Sequence, residues 1–72
     1  MATSAKSELK RSLSIQGHRT SLSLEPEFWA ALKQAASAEQ KSLAALVAEI
    51  DAARAGRNLS SAIRVWVLAR KS

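Results

Sequence analysis

The sequence contains no cysteine and no tyrosine, a single histidine, one proline and two glycines. Without cysteine there is neither a disulfide nor a thiolate metal site to reinforce a small core. The lone His18 has no second imidazole or thiol near it, so a metal centre is not expected. No apolar run approaches the roughly 20 residues a bilayer-spanning helix needs. Residues 1–10 lack the apolar stretch of an export signal, and we expect a cytoplasmic protein. Large apolar side chains are also scarce. Much of the 47% apolar content is alanine, leaving Phe28, Trp29, Trp66 and a set of Leu, Ile and Val. A single domain of 72 residues with so little to bury is marginal alone, which favours oligomerisation.

Catalytic chemistry has equally little to work with. There is no Ser-His-Asp order, no glycine-rich phosphate loop and no paired metal ligands. Glu49 and Asp51 lie about 200° apart around a helix and cannot act as a carboxylate pair. We read the chain as a binding protein without a cofactor. Its formal net charge of +5 favours polyanions, nucleic acid before anionic membrane.

Residues 1–10 are small and polar without periodicity and read as a disordered arm, with the folded domain over 11–72. Leu13 and Ile15, then Thr20, Leu22 and Leu24, alternate with serines, the mark of half-buried strand. The fragments at 12–15 and 21–24 are near copies separated by Gln16-Gly17-His18-Arg19. Two pairings are open: a hairpin within the chain, or residues 19–24 pairing with a second molecule. We take the intermolecular pair as the working expectation, and the two are compatible.

Everything beyond residue 25 reads as helix. Pro26 suits a first turn, with Phe28, Leu32, Ala35 and Ala36 as the apolar face. Ser42 is the N-cap of a second helix carrying Leu43, Leu46, Val47 and Ile50. Asn58 or Ser60 caps a third, from Leu59 to Arg70, whose apolar face is Leu59, Ala62, Ile63, Trp66 and Val67. Trp29 lies off the first stripe and is expected to pack against a partner chain. Val65 and Leu68 lie on the far side of the third helix and suggest a protein contact there.

A lone amphipathic strand leaves backbone groups unpaired and an apolar face uncovered. Pairing it antiparallel with its own copy satisfies both and closes at two chains. Leu22, Leu24, Phe28, Leu46 and Ile50 would then form a shared dimer core. Arg19, Ser21 and Ser23 would point outward, either as ordinary solvent-facing positions or toward the major groove of DNA. Lys10 and Arg11, just before the strands, offer phosphate contacts.

The run from Arg19 to Leu32 (Arg-Thr-Ser-Leu-Ser-Leu-Glu-Pro-Glu-Phe-Trp-Ala-Ala-Leu), followed by Lys41 to Ile50 (Lys-Ser-Leu-Ala-Ala-Leu-Val-Ala-Glu-Ile), resembles the ribbon-helix-helix family of Arc- and MetJ-like DNA-binding proteins. It is most similar to a bacterial subgroup with a Gly-His-Arg-Thr-Ser-Leu-Ser-Leu entry, here 17–24. That subgroup also carries an Asn-Leu-Ser-Ser-Ala-Ile-Arg third helix, here 58–64. The resemblance implies a mainly α fold with a short β-ribbon: an intertwined homodimer with an intermolecular antiparallel strand pair plus an extra helix. It implies that Arg19, Ser21 and Ser23 read bases of double-stranded DNA. It also implies that the start of the second helix, Ser42 and Leu43 with Lys41 beside it, holds a phosphate. The expected function is transcriptional repression. The alternative is a dimer serving as a protein-interaction module or antitoxin-like component through its third helix. Two features depart from the pattern: the glycine usual between the first two helices is replaced by Gln40 or Lys41, and the third helix is additional.

Overall fold

The computed structural model describes residues 8–71. It is a two-stranded antiparallel ribbon, β1 (Leu9–Ile15) and β2 (His18–Leu24), followed by α1 (Pro26–Ala38), α2 (Leu43–Ala52) and α3 (Leu59–Lys71). The mainly helical ribbon-plus-helices architecture expected from the sequence is what is found. Leu9 and Lys10 belong to β1 and not to the arm expected over 1–10, of which residues 1–7 lie outside the described residues.

The ribbon is a hairpin within one chain. Gln16 and Gly17 both have positive φ, 52° and 84°, as a two-residue type I′ turn requires, and that turn has the twist that lets adjacent strands pair at once. Gly17 meets the requirement freely, while Gln16 is held there by the ladder on either side. Leu9 stands opposite Leu24, and the register runs through Ser12–Ser21 to Ile15–His18. β1 thus fills one edge of β2, and the expected intermolecular pairing of residues 19–24, which is compatible with this hairpin, falls to the opposite edge.

The other edge of β2 has a definite composition. A two-residue loop makes Ile15–His18 a hydrogen-bonded pair, and bonded and non-bonded pairs then alternate. Arg19, Ser21 and Ser23 fall in the non-bonded pairs, so their backbone groups point away from β1. Consistent with this, the Ser60 hydroxyl at the start of α3 donates to the Ser23 carbonyl at 3.1 Å.

The inner face of the ribbon closes over the helices. Ile15, Leu22 and Leu24 are buried with Leu32 of α1, Leu46, Val47 and Ile50 of α2, and Ile63 and Val67 of α3. Four of the five residues expected to be shared between two chains (Leu22, Leu24, Leu46 and Ile50) are thus buried within one chain, and Phe28 is half-buried. In α1 the inward aromatic is Trp29, 2% exposed, which corrects its expected role as a partner contact. Its indole N–H donates to the Leu9 carbonyl at 2.9 Å, tying the start of β1 to α1.

Helix ends follow local chemistry. Ser42 caps α2, its hydroxyl accepting from the Ala45 N–H at 3.0 Å, and Asn58 caps α3 by accepting from the Ser61 N–H at 2.9 Å. Between α1 and α2, Gln40 takes the left-handed conformation at φ 57°. The Lys41 N–H reaches the Ala36 carbonyl and the Gln40 N–H that of Ser37, the two bonds of a Schellman C-cap. The position usually given to glycine is therefore geometrically intact but strained. Gln40→Gly relieves the left-handed penalty at some cost in unfolded-chain entropy, and a net stabilisation of about 0.5–1 kcal/mol is expected. A denaturant midpoint that rises would confirm it, and one that falls would show the loop to be otherwise built.

Candidate nucleic-acid interface

The outer face of the ribbon is defined by strand parity. Lys10, Ser12 and Ser14 of β1 share it with Ser23, Ser21 and Arg19 of β2, each directly opposite its partner in that order. Five of the six are exposed and Ser23 is half-buried. No carboxylate and no bulky side chain interrupts them. The two cations sit at opposite ends: Lys10 lies beside Ser23 and Arg19 beside Ser14, four residues apart along the ribbon and thus roughly 13 Å. Small hydroxyl-bearing side chains fill the middle. The backbone therefore lies close beneath the surface, and every position between the cations can both donate and accept.

Ser12 and Ser14 were not singled out in the sequence. Their signal was the near-repeat at 12–15, which places two serines on one face only if β1 pairs with β2 in this register.

Arg11 differs from its neighbour Lys10. It lies on the opposite parity, where its guanidinium stands 5.3 Å from the Trp29 ring centroid. Stacked there, it covers the buried indole from the solvent side and is not part of the outer face. His18 is exposed beside the turn.

The start of α2 was the expected phosphate site. After the Ser42 cap, the N–H groups of Leu43 and Ala44 remain without intrahelical acceptors. Lys41 beside them is not an uncommitted cation, because its ammonium bridges Glu49 and Glu39. Glu39 in turn receives Arg70 of α3 at 2.8 Å. Two positive and two negative groups thus meet where a net positive charge was expected. Helical spacing from Ser42 brings Glu49 near Lys41 only once Gln40 has taken its left-handed turn, which is why sequence periodicity did not expose the bridge.

A second ion network secures the ribbon to α3. The Arg64 guanidinium bonds Glu25, between β2 and α1, at 3.0 Å and Glu8 at 3.3 Å, and lies 5.9 Å from the Phe28 ring centroid. The hydrogen bond from Arg64 holds the Glu25 carboxyl below its usual value of 4.5. That from Lys41 does the same for Glu39, while the carboxylates of Glu49 and Glu39 raise Lys41 above 10.5. Carboxyls with depressed folded-state pKa values stabilise the fold above their unfolded value and lose that contribution as the pH falls through the folded one. Lys41, shifted upward, loses its contribution only as the pH rises past its raised value. Melting temperature is therefore expected to decline on acidification from about pH 5 toward pH 3, and Glu25→Gln to flatten part of that decline. Thermal melts across this range test it, and an unchanged slope in the variant would show that the Arg64–Glu25 pair is not coupled to folding.

A two-stranded antiparallel ribbon followed by three helices is the architecture of a ribbon-helix-helix fold. The ribbon-helix-helix domain family matches residues 8–70, and the chain belongs to that family. Its members generally bind DNA as dimers and act as regulators. No curated protein and no solved structure matches the chain.

Proposed function

We propose that the chain is a cytoplasmic, homodimeric repressor that binds double-stranded DNA sequence-specifically through its ribbon, without catalytic activity. The observation that carries this reading is the outer ribbon face: Lys10 and Arg19 at its ends, four serines between and no acid among them.

The edge of β2 turned away from β1, on which the Ser23 carbonyl already accepts from Ser60, supplies the dimer. Antiparallel pairing of β2 with its own copy around Ser21 uses the outward backbone groups of Arg19, Ser21 and Ser23, and leaves the second lone pair of the Ser23 carbonyl available beside Ser60. Opposed residues in an antiparallel pair point to one side, so the two outer faces become continuous. Four strands are wider than the roughly 12 Å major groove, which admits a two-stranded ribbon. The central pair enters, bringing Arg19, Ser21 and Ser23 of both copies to base edges. The flanking β1 strands hold Lys10 against the phosphate walls. The backbone N–H groups of Leu43 and Ala44, with Ser42, provide a further anion contact at the start of α2. Lys41 acts there by setting the turn and not by meeting phosphate itself. A dimer so seated excludes other proteins from the DNA it covers, which is repression wherever that DNA overlaps a promoter.

Fluorescence-anisotropy titration of labelled duplex across a salt series tests this reading. Binding whose logarithmic salt slope is about 0.9 per phosphate contact supports it, together with preference for one selected duplex over a scrambled one. Absence of duplex binding at low salt overturns it.

A further inference from the structure

Away from the ribbon, a cleft of about 420 Å³ lies between the end of α2, the loop after it and the flank of α3. No ribbon residue lines it. Its α3 wall is Ala62, Val65, Trp66 and Ala69, spaced i, i+3, i+4 and i+7. That is the spacing by which one helix presents a seam to another. Two of the four are alanine, so a second helix can approach closely, and Val65 is 44% exposed in a chain with few exposed large apolar side chains. Ile50 closes the floor from α2.

The rim is basic. Arg54 and Arg57 border the cleft and no carboxylate does. Arg54 is bonded to Asp51 and to the Arg57 carbonyl, but the Arg57 side chain has no ion-pair partner among the described residues. A second copy is a poor occupant. Pairing two such clefts would bring a second unpaired Arg57, on a chain that itself has a net charge of +5, to a lining that holds no carboxylate. We propose that this cleft docks an acidic amphipathic helix of a partner protein. An apolar stripe of that helix packs on the Ala62–Ala69 seam, and its flanking carboxylates meet Arg57. The ribbon takes no part, so the dimer can hold DNA and partner together.

The probe is a fluorescein-labelled 18-residue peptide with leucines at i, i+3, i+4 and i+7 and glutamates on the flanks, compared with its lysine-flanked counterpart. The expected result is saturable binding of the glutamate peptide alone. Binding should be about tenfold weaker for Arg57→Glu and for Val65→Asp, and unchanged for Lys33→Glu, an equal charge reversal on the exposed side of α1. Circular dichroism melts should match wild type in all three, since the altered positions are exposed. Equal weakening by Lys33→Glu would reduce the effect to general charge attraction and overturn the proposal. So would the absence of saturable binding. Self-association in sedimentation that Val65→Asp abolishes would assign the cleft to a second copy, and weaker duplex binding by Arg57→Glu would assign Arg57 to DNA. Either result overturns the partner-helix reading without touching the ribbon's role.

Discussion

Leu22→Asp is expected to leave no folded species at all, neither dimer nor monomer. Leu22 is 3% exposed within one chain and packs in the same cluster as Leu24, Leu46, Ile63 and Trp29. Removing its side-chain bulk costs about 2–5 kcal/mol, and an unpaired carboxylate at the same place adds about 3–5 kcal/mol. The whole stability of a 72-residue chain is on the order of 4–11 kcal/mol, so the substitution removes most or all of it. Had Leu22 packed chiefly across a two-fold axis, the same change would split the dimer into helical, cooperatively melting monomers. Far-UV circular dichroism with size-exclusion chromatography at micromolar concentration separates the outcomes. A folded monomer would return Leu22 to the interface and overturn the single-chain core. Ser21→Asn, the uncharged isostere one residue away on the outer face, is the matching control, since a carboxylate at position 21 would meet its own copy across the proposed two-fold axis. It should melt within about 0.5 kcal/mol of wild type.

The contrast between those neighbours shows what the sequence made legible. The period-two alternation separates Leu22 from Ser21, and it did so without any structure. It is silent on which strand lies alongside, because a hydrophobic pattern specifies a face and not an edge. The hairpin depends on Gln16 entering a left-handed conformation that glutamine does not favour, so the Gln16-Gly17 pair is a weaker announcement than Asn-Gly would be. Where the deciding chemistry is local, as at Pro26, Ser42 and Asn58, the helix starts could be read directly from the residues. Phe28 and Trp29 illustrate the intermediate case. They lie about 100° apart on α1, both bordering the line through Leu32. Which of them turns inward is set by where β1 begins, since the Leu9 carbonyl gives the Trp29 N–H its acceptor. The Lys41 bridges are of the same kind: Glu39 and Glu49 converge through a turn whose geometry the local sequence does not advertise.

The roles proposed for the two ribbon strands lead to the second large effect. Arg19→Ala should raise the Kd for the preferred duplex at least thirtyfold while barely changing the affinity for scrambled DNA. An arginine that takes the acceptors of a guanine contributes about 1–3 kcal/mol of discrimination. A two-fold dimer carries that contact twice, or roughly 2–6 kcal/mol, and each 1.4 kcal/mol is tenfold. Lys10→Ala should act differently. Lys10 shares the outer face but lies on β1, the flanking strand of the proposed dimer, so its loss should weaken preferred and scrambled duplexes alike. It should also lower the salt slope by about two, one phosphate contact per copy. Arg11→Ala gives the internal comparison, since its guanidinium is stacked on Trp29 and faces away from the groove. Removing it should leave sequence preference intact. Titrations of the three variants on both duplexes at several salt concentrations separate these roles. If Arg19→Ala lowered both affinities equally, or Lys10→Ala altered the preferred sequence, the ribbon would be a general polyanion contact and the site of sequence readout would have to lie elsewhere on the chain.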